Sequence, residues 1–456
     1  MSDTNLADLT TTEAAARIAR GETSSENLVS ACLERIAALE PQVEAWAFHD
    51  PEHARAQARA ADALMREGKG FGPLHGVPVG VKDIIDTVDL PTENGCRAHS
   101  GRQPTVEAAC VTALRRAGAV IMGKTVTTEL ATFTPGKTHN PHNLEHTPGG
   151  SSSGSAAAVA AGMVPAALGT QTVGSVIRPG AFCGVYGLKP TYGVIPRVGV
   201  LTQAPSLDTV GVYGRSVEDL ALLADVLQGH ERGDPASLMS SRPRLLATAT
   251  EDWPLDPLFA FVKTHAWSEA DAATHEAFGE LVEALGGQAT EIGLEHTTEG
   301  GYAAARVVQR VEMAVEFGPL LDRSPDLLSD NLRQQLEDGR RVTGVEYIVA
   351  LNARARFYAS VEEVLRNYGA IITPAALGPA PKGLGTTGNP VFCGFWTYLG
   401  VPAVTLPLLE AIGLPMGVQL IGARRDDGRL LRTARWLVRR LSAHTLEASM
   451  PHRPAA

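Results

Sequence analysis

Apolar positions recur at helical spacing near the start of the chain. Leu28, Cys32, Ile36 and Leu39 fall on one side of a helix of ~3.6 residues per turn, so the segment opened by Ser24-Ser25-Glu26 is expected to pack one face on a core. Thr11 or Thr12 can cap an earlier helix, with Glu13 in its first turn. A third helix, alanine-rich and charged on its outer side, is expected from about His53 to Arg66. Residues 1–70 thus read as a helical segment packing on whatever follows.

From Phe71 the period changes. GVPVGVKD (76–83) is a short apolar strand broken by Gly76 and Gly80, and AVIMGKT (119–125) is another, preceded by the helical VEAACVTALRRAG. Strands alternating with helices predict an α/β sheet with parallel pairing. Residues 133–154, FTPGKTHNPHNLEHTPGGSSSG, are a long run of loop chemistry, and loops of that length in compact domains usually carry function or stay disordered. After Asp219 the pattern is mostly helical, with strands suggested at RLLATAT (244–250) and GAIITPA (369–375). GPAPKGLGTTGNP (378–390) reads as a mobile flap or lid. VPAVTLPL (401–408) and PMGVQLIG (415–422) are strand-like, a last helix begins at about Asp427, and the tail MPHRPAA is expected to be disordered.

Composition narrows the function classes. A net charge of −10 argues against broad nucleic-acid binding, which needs a basic face; Arg424, Arg425 and Arg429 form a local basic group best read as solvated surface. The five cysteines, Cys32, Cys96, Cys110, Cys183 and Cys393, are widely spaced without a CxxC pair. That disfavours a disulfide framework or a structural zinc, and each reads as a small buried apolar residue. The start of the chain has no apolar core of a signal peptide, and no apolar run reaches the ~18 residues of a membrane span. A cytoplasmic protein with no membrane association is expected.

The chemistry concentrates in residues 147–193, where two loops containing glycine and serine flank an alanine-rich helix and a strand. Glycine lets backbone N–H groups approach a ligand, and serine supplies hydroxyls that act as nucleophile or donor. A phosphate-binding P-loop is excluded, because no lysine follows the second glycine of either loop. A GxSxG elbow is absent too, since Gly174-Ser175 runs on into Val176 and Ile177.

This block resembles the amidase-signature family. The family's GGSS[GS]GS loop matches Gly149 to Ser155, its [DQ]TxGS loop matches Gln171 to Ser175, and its apolar strand ending G-[VI]-K-D matches Val77 to Asp83. The likeness spans most of the chain, is strongest over 71–215, and recurs in LGVPAVTLPL and GLPMGVQLIG. It implies a large central mixed, mostly parallel twisted sheet covered by helices on both faces. Residues 71–215 would be the signature core, and 216–456 the remainder of the same α/β domain, with a helical insertion at about 255–365 and a flap near 378–390.

Carried over position by position, the resemblance puts the nucleophile at Ser175, the bridging serine at Ser151 after a cis peptide bond, and the base at Lys82. The backbone N–H groups of Thr172, Val173, Gly174 and Ser175 would form the oxyanion hole. A serine hydroxyl needs a base to become nucleophilic, so Lys82 must be neutral, although a free lysine titrates near ~10.4. Val79, Val81 and Ile84 would supply the desolvation, with Asp83 and Asp86 expected to point elsewhere. Ser152, Ser153 and Ser155 read as structural, and Thr172 as a support of its loop. The implied activity is hydrolysis of an amide, anilide, carbamate or aryl ester through an acyl-enzyme, with no cofactor and no metal. The implied partners are a small-molecule substrate and a possible homodimer mate. The alternative is the family's amidotransferase catalytic chain, acting in a complex on misacylated tRNA.

The commonest family form of the second loop is DTGGSIR. Here Gln171 replaces the aspartate, Val173 the first glycine, and the arginine shifts by one to Arg178. His75, His139, His142 and His146 read as ordinary loop histidines despite the HxxxH spacing of the last two. Phe133, Phe182, Phe392, Phe395, Trp396 and Tyr398 are open between pocket lining and core packing.

Overall fold

The computed structural model describes residues 5–69, 72–237, 239 and 241–449, so the tail at 450–456 lies outside the described residues. Eleven strands form one sheet among them: β1 (Trp46–His49), β2 (Pro78–Lys82), β3 (Val120–Thr125), β4 (Ala166–Gln171), β5 (Tyr186–Lys189), β6 (Thr209–Gly214), β7 (Phe259–Phe261), β8 (Ala289–Glu291), β9 (Ala370–Pro374), β10 (Ala403–Ala411) and β11 (Leu414–Ile421). Their order is β1-β3-β2-β4-β6-β5-β10-β11-β9-β7-β8. The sheet is mixed, as expected, but parallel pairs are the minority. Only β2–β3, β2–β4, β7–β8 and β7–β9 run parallel, and the six other pairs are antiparallel. Short connections account for this: β10 and β11 are joined by Ile412-Gly413, both at positive φ, the geometry of a two-residue hairpin turn. Parallel neighbours need a crossover of a dozen residues or more, which the helices after β2, β3 and β7 provide.

Both faces of the sheet are buried because alternate residues of each strand join different clusters. Ile121, Leu168, Val212, Val404 and Ile372 pack with the helices Ala109–Arg116, Val217–Leu227, Ala272–Leu285 and Asp427–Ser449. Their strand neighbours turn the other way. Met122, Ala167 and Tyr213 meet the N-terminal helices and the helix Ser153–Ala160. Ile371, Ala403 and Ile421 meet Ile177–Phe182, Glu295–Arg323, Gly344–Asn367 and Val391–Leu399. Among the described residues, no helix is long and apolar enough to cross a membrane.

Most helix boundaries follow the pattern, with two corrections. The first helix, Thr11–Ala19, is capped by Thr10 rather than Thr11 or Thr12; the Thr10 hydroxyl accepts from Glu13 N while the Glu13 carboxylate accepts from Thr10 N, a complete capping box. Ser24 caps Ser25–Val43 as read from the sequence, and Leu28, Cys32 and Ile36 are buried along it, with Leu39 half-buried. The second correction is at RLLATAT, which is not a strand but the helix Leu245–Thr250. The Asp225 carboxylate accepts from Leu245 N at 2.6 Å and Leu246 N at 2.8 Å, capping this helix from a distant part of the chain. A tertiary cap of that kind overrides the β-like local pattern.

The GGSSSGS segment is held by close packing. A Cβ on Gly154 would lie 2.1 Å from the Ala45 carbonyl oxygen and 2.4 Å from Val126 N, so the helix Ser153–Ala160 sits directly on the backbone leading into β1 and out of β3. Gly154→Ala is therefore expected to destabilise the protein by about 1–3 kcal/mol, the cost of overpacking, despite alanine's better helix propensity. Urea denaturation of the two proteins measures it.

Candidate active site

Lys82 ends β2, and β2 lies between β3 and β4. The side chain is 0% exposed. Its Nζ donates to Ser151 Oγ at 2.7 Å and to Thr170 Oγ1, near the end of β4, at 2.8 Å. Ser151 follows the cis Gly150–Ser151 peptide bond and is itself buried. The neighbouring serines hold the loop in place: Ser152 Oγ donates to Thr170 O, Ser153 Oγ to Gly149 O and Ser155 Oγ to Leu168 O.

Ser175 sits in the turn between β4 and the helix Ile177–Phe182, half-buried at the wall of a narrow cleft of about 10 Å³. Thr172, Val173, Gly174, Arg178 and Phe133 share that wall. Gln171 shapes the turn. Its Oε1 accepts from Val176 N at 2.8 Å and Ile177 N at 2.9 Å, and its Nε2 donates to Thr397 Oγ1 at 2.9 Å. Thr397 Oγ1 in turn donates to Val173 O at 2.7 Å. Gln171 thus supplies the acceptor for two N–H groups at the start of a helix, so the departure from aspartate keeps a loop-forming role without a charge.

Arg178 ties the two loops together. Its Nε donates to Thr387 O at 2.6 Å and one terminal amino group donates to Gly150 O at 2.7 Å and Thr387 Oγ1 at 3.1 Å. The segment 378–390 is pinned elsewhere too, by an ion pair of Lys382 with Glu145 at 2.9 Å and by Gly383 N donating to Glu145 O.

Burial drives the Lys82 amine well below the ordinary lysine range, and the Asp208 carboxylate opposes it. Asp83 and Asp86 are turned away, as anticipated: Asp83 faces Lys124 at 3.4 Å, and Asp86 pairs with Arg102 at 2.6 Å. Val79, Val81 and Ile84 are buried in one cluster. The acid that does act on Lys82 is one the sequence reading missed. Asp208 accepts from Thr172 Oγ1 at 2.6 Å and from Gln203 N and Ala204 N, and burial lifts its carboxyl to about 6. Nothing in the spacing of Ser206-Leu207-Asp208 marks it; only the fold brings it behind Thr172. Thr170 was missed for the same reason.

Other candidates resolve into structure. His75, His139, His142 and His146 each face a backbone carbonyl, of Ala61, Leu144, Cys183 and Ala380. All five cysteines are buried and free. Arg424 lies over the Tyr358 ring and Arg429 faces Asp426, so these arginines are engaged locally. Phe395, Trp396 and Tyr398 belong to the core under the helix Val391–Leu399, Phe392 packs on Ala266 and Val391, and Phe182 on Ala376 and Ala380; Phe133 alone of the six lines the cleft.

Residues 27–431 match the model of the Amidase family. The A-subunit of the glutamyl-tRNA(Gln) amidotransferase of Chloroflexus aurantiacus is 33% identical, covering 97% of this chain and 98% of its own length. That of Roseiflexus castenholzii is 35% identical over 94% of this chain and 95% of its own. Among solved structures, one described as a vestigial protein complex that reveals the evolutionary origins of an s-triazine catabolic enzyme superposes with a TM-score of 0.88, at 28% identity, covering 94% of this chain and 98% of its own. The native peptide amidase of Stenotrophomonas maltophilia gives 0.82 at 27% identity, covering 95% and 97%.

The electrostatic influence of Asp208 on Lys82 sets a sign. Removing the carboxylate charge removes what holds the lysine pKa up, so the neutral amine persists to lower pH. In Asp208→Asn the acid limb of the pH–kcat/KM profile is expected to move to lower pH, read from initial rates between pH 5 and 9.

Proposed function

This chain belongs to the Amidase family, and on that premise we propose that it is a serine hydrolase of amide-type C–N bonds, working through an acyl-enzyme with Ser175, Ser151 and Lys82. The observation that carries the reading is the buried, uncharged-favouring Lys82 amine hydrogen-bonded to Ser151 on the cis loop, beside the turn that presents Ser175.

In this reading Ser175 Oγ attacks the carbonyl carbon, its proton passes to Ser151 Oγ, and the Ser151 proton passes to the Lys82 lone pair. The carbonyl oxygen takes the negative charge, facing the N–H groups of Thr172, Val173, Gly174 and Ser175; a preorganised donor of this kind contributes about 2.7–4 kcal/mol to transition-state stabilisation. The C–N bond then breaks as the relay returns a proton to the leaving nitrogen. Water attacks the ester in the second half, giving up its proton by the same route and releasing the acid and Ser175. Thr170 holds Lys82 in line, Thr172 and Gln171 hold the oxyanion turn, and Arg178 holds the Gly150 carbonyl. No cofactor is called for by these steps, and carbamates and aryl esters fit the same chemistry.

A second reading, an amidotransferase component requiring partner chains, is favoured by the full-length likeness to the amidotransferase A-subunits. The purified chain releasing aniline from an anilide by itself would exclude that requirement.

Ser175→Ala is expected to abolish turnover and fluorophosphonate labelling, and Lys82→Ala to lower kcat at neutral pH by about 10²–10⁴, the span of a lost general base. Ser151→Ala should cost less than either, because water can bridge the relay. Near-native kcat in Lys82→Ala would refute the assignment of the base. Steady-state assays over primary amides, anilides, carbamates and p-nitrophenyl esters, with Ser175→Ala as blank, measure all three.

A further inference from the structure

The helix Gly344–Asn367 turns Ala350, Val361 and Leu365 to the core and leaves its opposite face bare. Near the start of the helix that face is apolar. Val345 is 73% exposed, Ile348 57% and Val349 63%, at the i, i+3 and i+4 spacing that makes them surface neighbours. Among the described residues, no other helix carries three exposed large apolar side chains. Scattered singly such residues mean little, but a contiguous group points to a contact surface. The patch is also stiff. All three side chains are β-branched, and a complete capping box of Thr343 and Glu346 fixes the first turn beneath them.

Farther along, the same face is lined by small residues. At about 100° per residue, Asn352, Ala355 and Ala359 continue the line of Val345 and Ile348, and all three are exposed. The face therefore has a bulky half and a small half, with Asn352 between them. A two-fold axis through Asn352 lays an antiparallel copy of the helix so that each bulky half meets a small one: Val345 over Ala359, and Ile348 and Val349 over Ala355. Asn352 then meets its own copy, where two side-chain amides can each donate and accept.

The charges agree with this register. Arg356 is exposed and makes no hydrogen bond or ion pair among the described residues, lying only against the Phe357 ring at 5.3 Å. Glu346 accepts from Thr343 N and Thr343 Oγ1 through Oε2 alone, so its Oε1 is uncommitted. The axis brings Arg356 opposite Ile348 of the second copy, about 3 Å along the helix from Glu346. The arginine stem can cover Val349 while its guanidinium reaches that carboxylate. In a two-fold contact each of these pairings is made twice.

We propose that this face is a self-complementary interface on which a second copy of the chain docks, helix Gly344–Asn367 against its antiparallel mate. One helix pair lies at the small end of specific interfaces, so the dimer forms reversibly. The contact does not depend on the reaction the site performs.

Sedimentation velocity of the full chain across the micromolar range is expected to show monomer giving way to dimer. Val349→Lys, a change to a solvent-facing side chain, should weaken the dimer by about tenfold or more. Arg356→Glu should weaken it several-fold, and adding Glu346→Arg should restore it; melting curves accompany each variant because Glu346 also caps the helix. Asn352→Cys should cross-link to itself through a short bis-maleimide, since the five native cysteines are buried. Glu363→Cys, exposed on the same helix but far from the axis, should not. Monomer at every concentration, the result expected if this face receives a different protein, would overturn the interface. So would a dimer that Val349→Lys leaves intact, a folded double variant no tighter than Arg356→Glu, or cross-linking of Glu363→Cys without that of Asn352→Cys.

Discussion

The Lys82 amine has no route to water, and the rest of the site is arranged around that constraint. A charged ammonium taken from water into a protein interior costs several kcal/mol unless it is closely paired. Lys82 is not closely paired: its partners are the hydroxyls of Ser151 and Thr170, and the nearest influence of opposite sign, Asp208, is occupied with Thr172 and two backbone N–H groups. Neutrality is the cheaper state. A neutral amine between two hydroxyls has a lone pair to offer, which a proton relay needs and an ion pair would remove.

Two further buried lysines make the point by contrast. Lys124 faces the Asp83 carboxylate and donates to Ile85 O and Thr92 Oγ1, and its pKa is lowered to about 8. Lys189 donates to Pro190 O, lies in the field of Asp427, and is lowered to about 7. Burial acts on all three. What distinguishes Lys82 is that its hydrogen-bond partners are hydroxyls alone, whereas Lys124 has a facing carboxylate beside its hydroxyl and Lys189 has a carbonyl, which cannot pass on a proton. Asp208 tempers the same effect from behind Thr172, coupling the Lys82 amine to the turn at 171–175.

Around this centre the loop network is uncharged where it needs shape and cationic where it faces the cleft. Gln171 and Thr397 fix the turn through neutral hydrogen bonds. Arg178 joins the Gly150 loop to Thr387, so the segment 378–390 is part of the wall of the site, fastened to it by Arg178 and by Glu145.

Much of this was legible in the linear sequence because it is local or carried by motif. The strand ending in Lys82, the serine-glycine loop at 149–155 and the turn at 171–175 combine residue types with spacings that have few other uses, and helix periodicity marked Ser25–Val43 and the last helix. Other features are set by groups far apart in the chain. The helix at Leu245–Thr250 looks like a strand until Asp225 caps it, twenty residues away. The preponderance of antiparallel pairs depends on strand order, which alternation of elements does not encode. Asp208 and Thr170 have no signature, because their significance lies in distance and burial. The sequence by itself determined which side chains the proposed chemistry calls on; the tertiary structure decided their electrostatic state, since only folding removes water from Lys82 and Arg178 and chooses what each one faces instead.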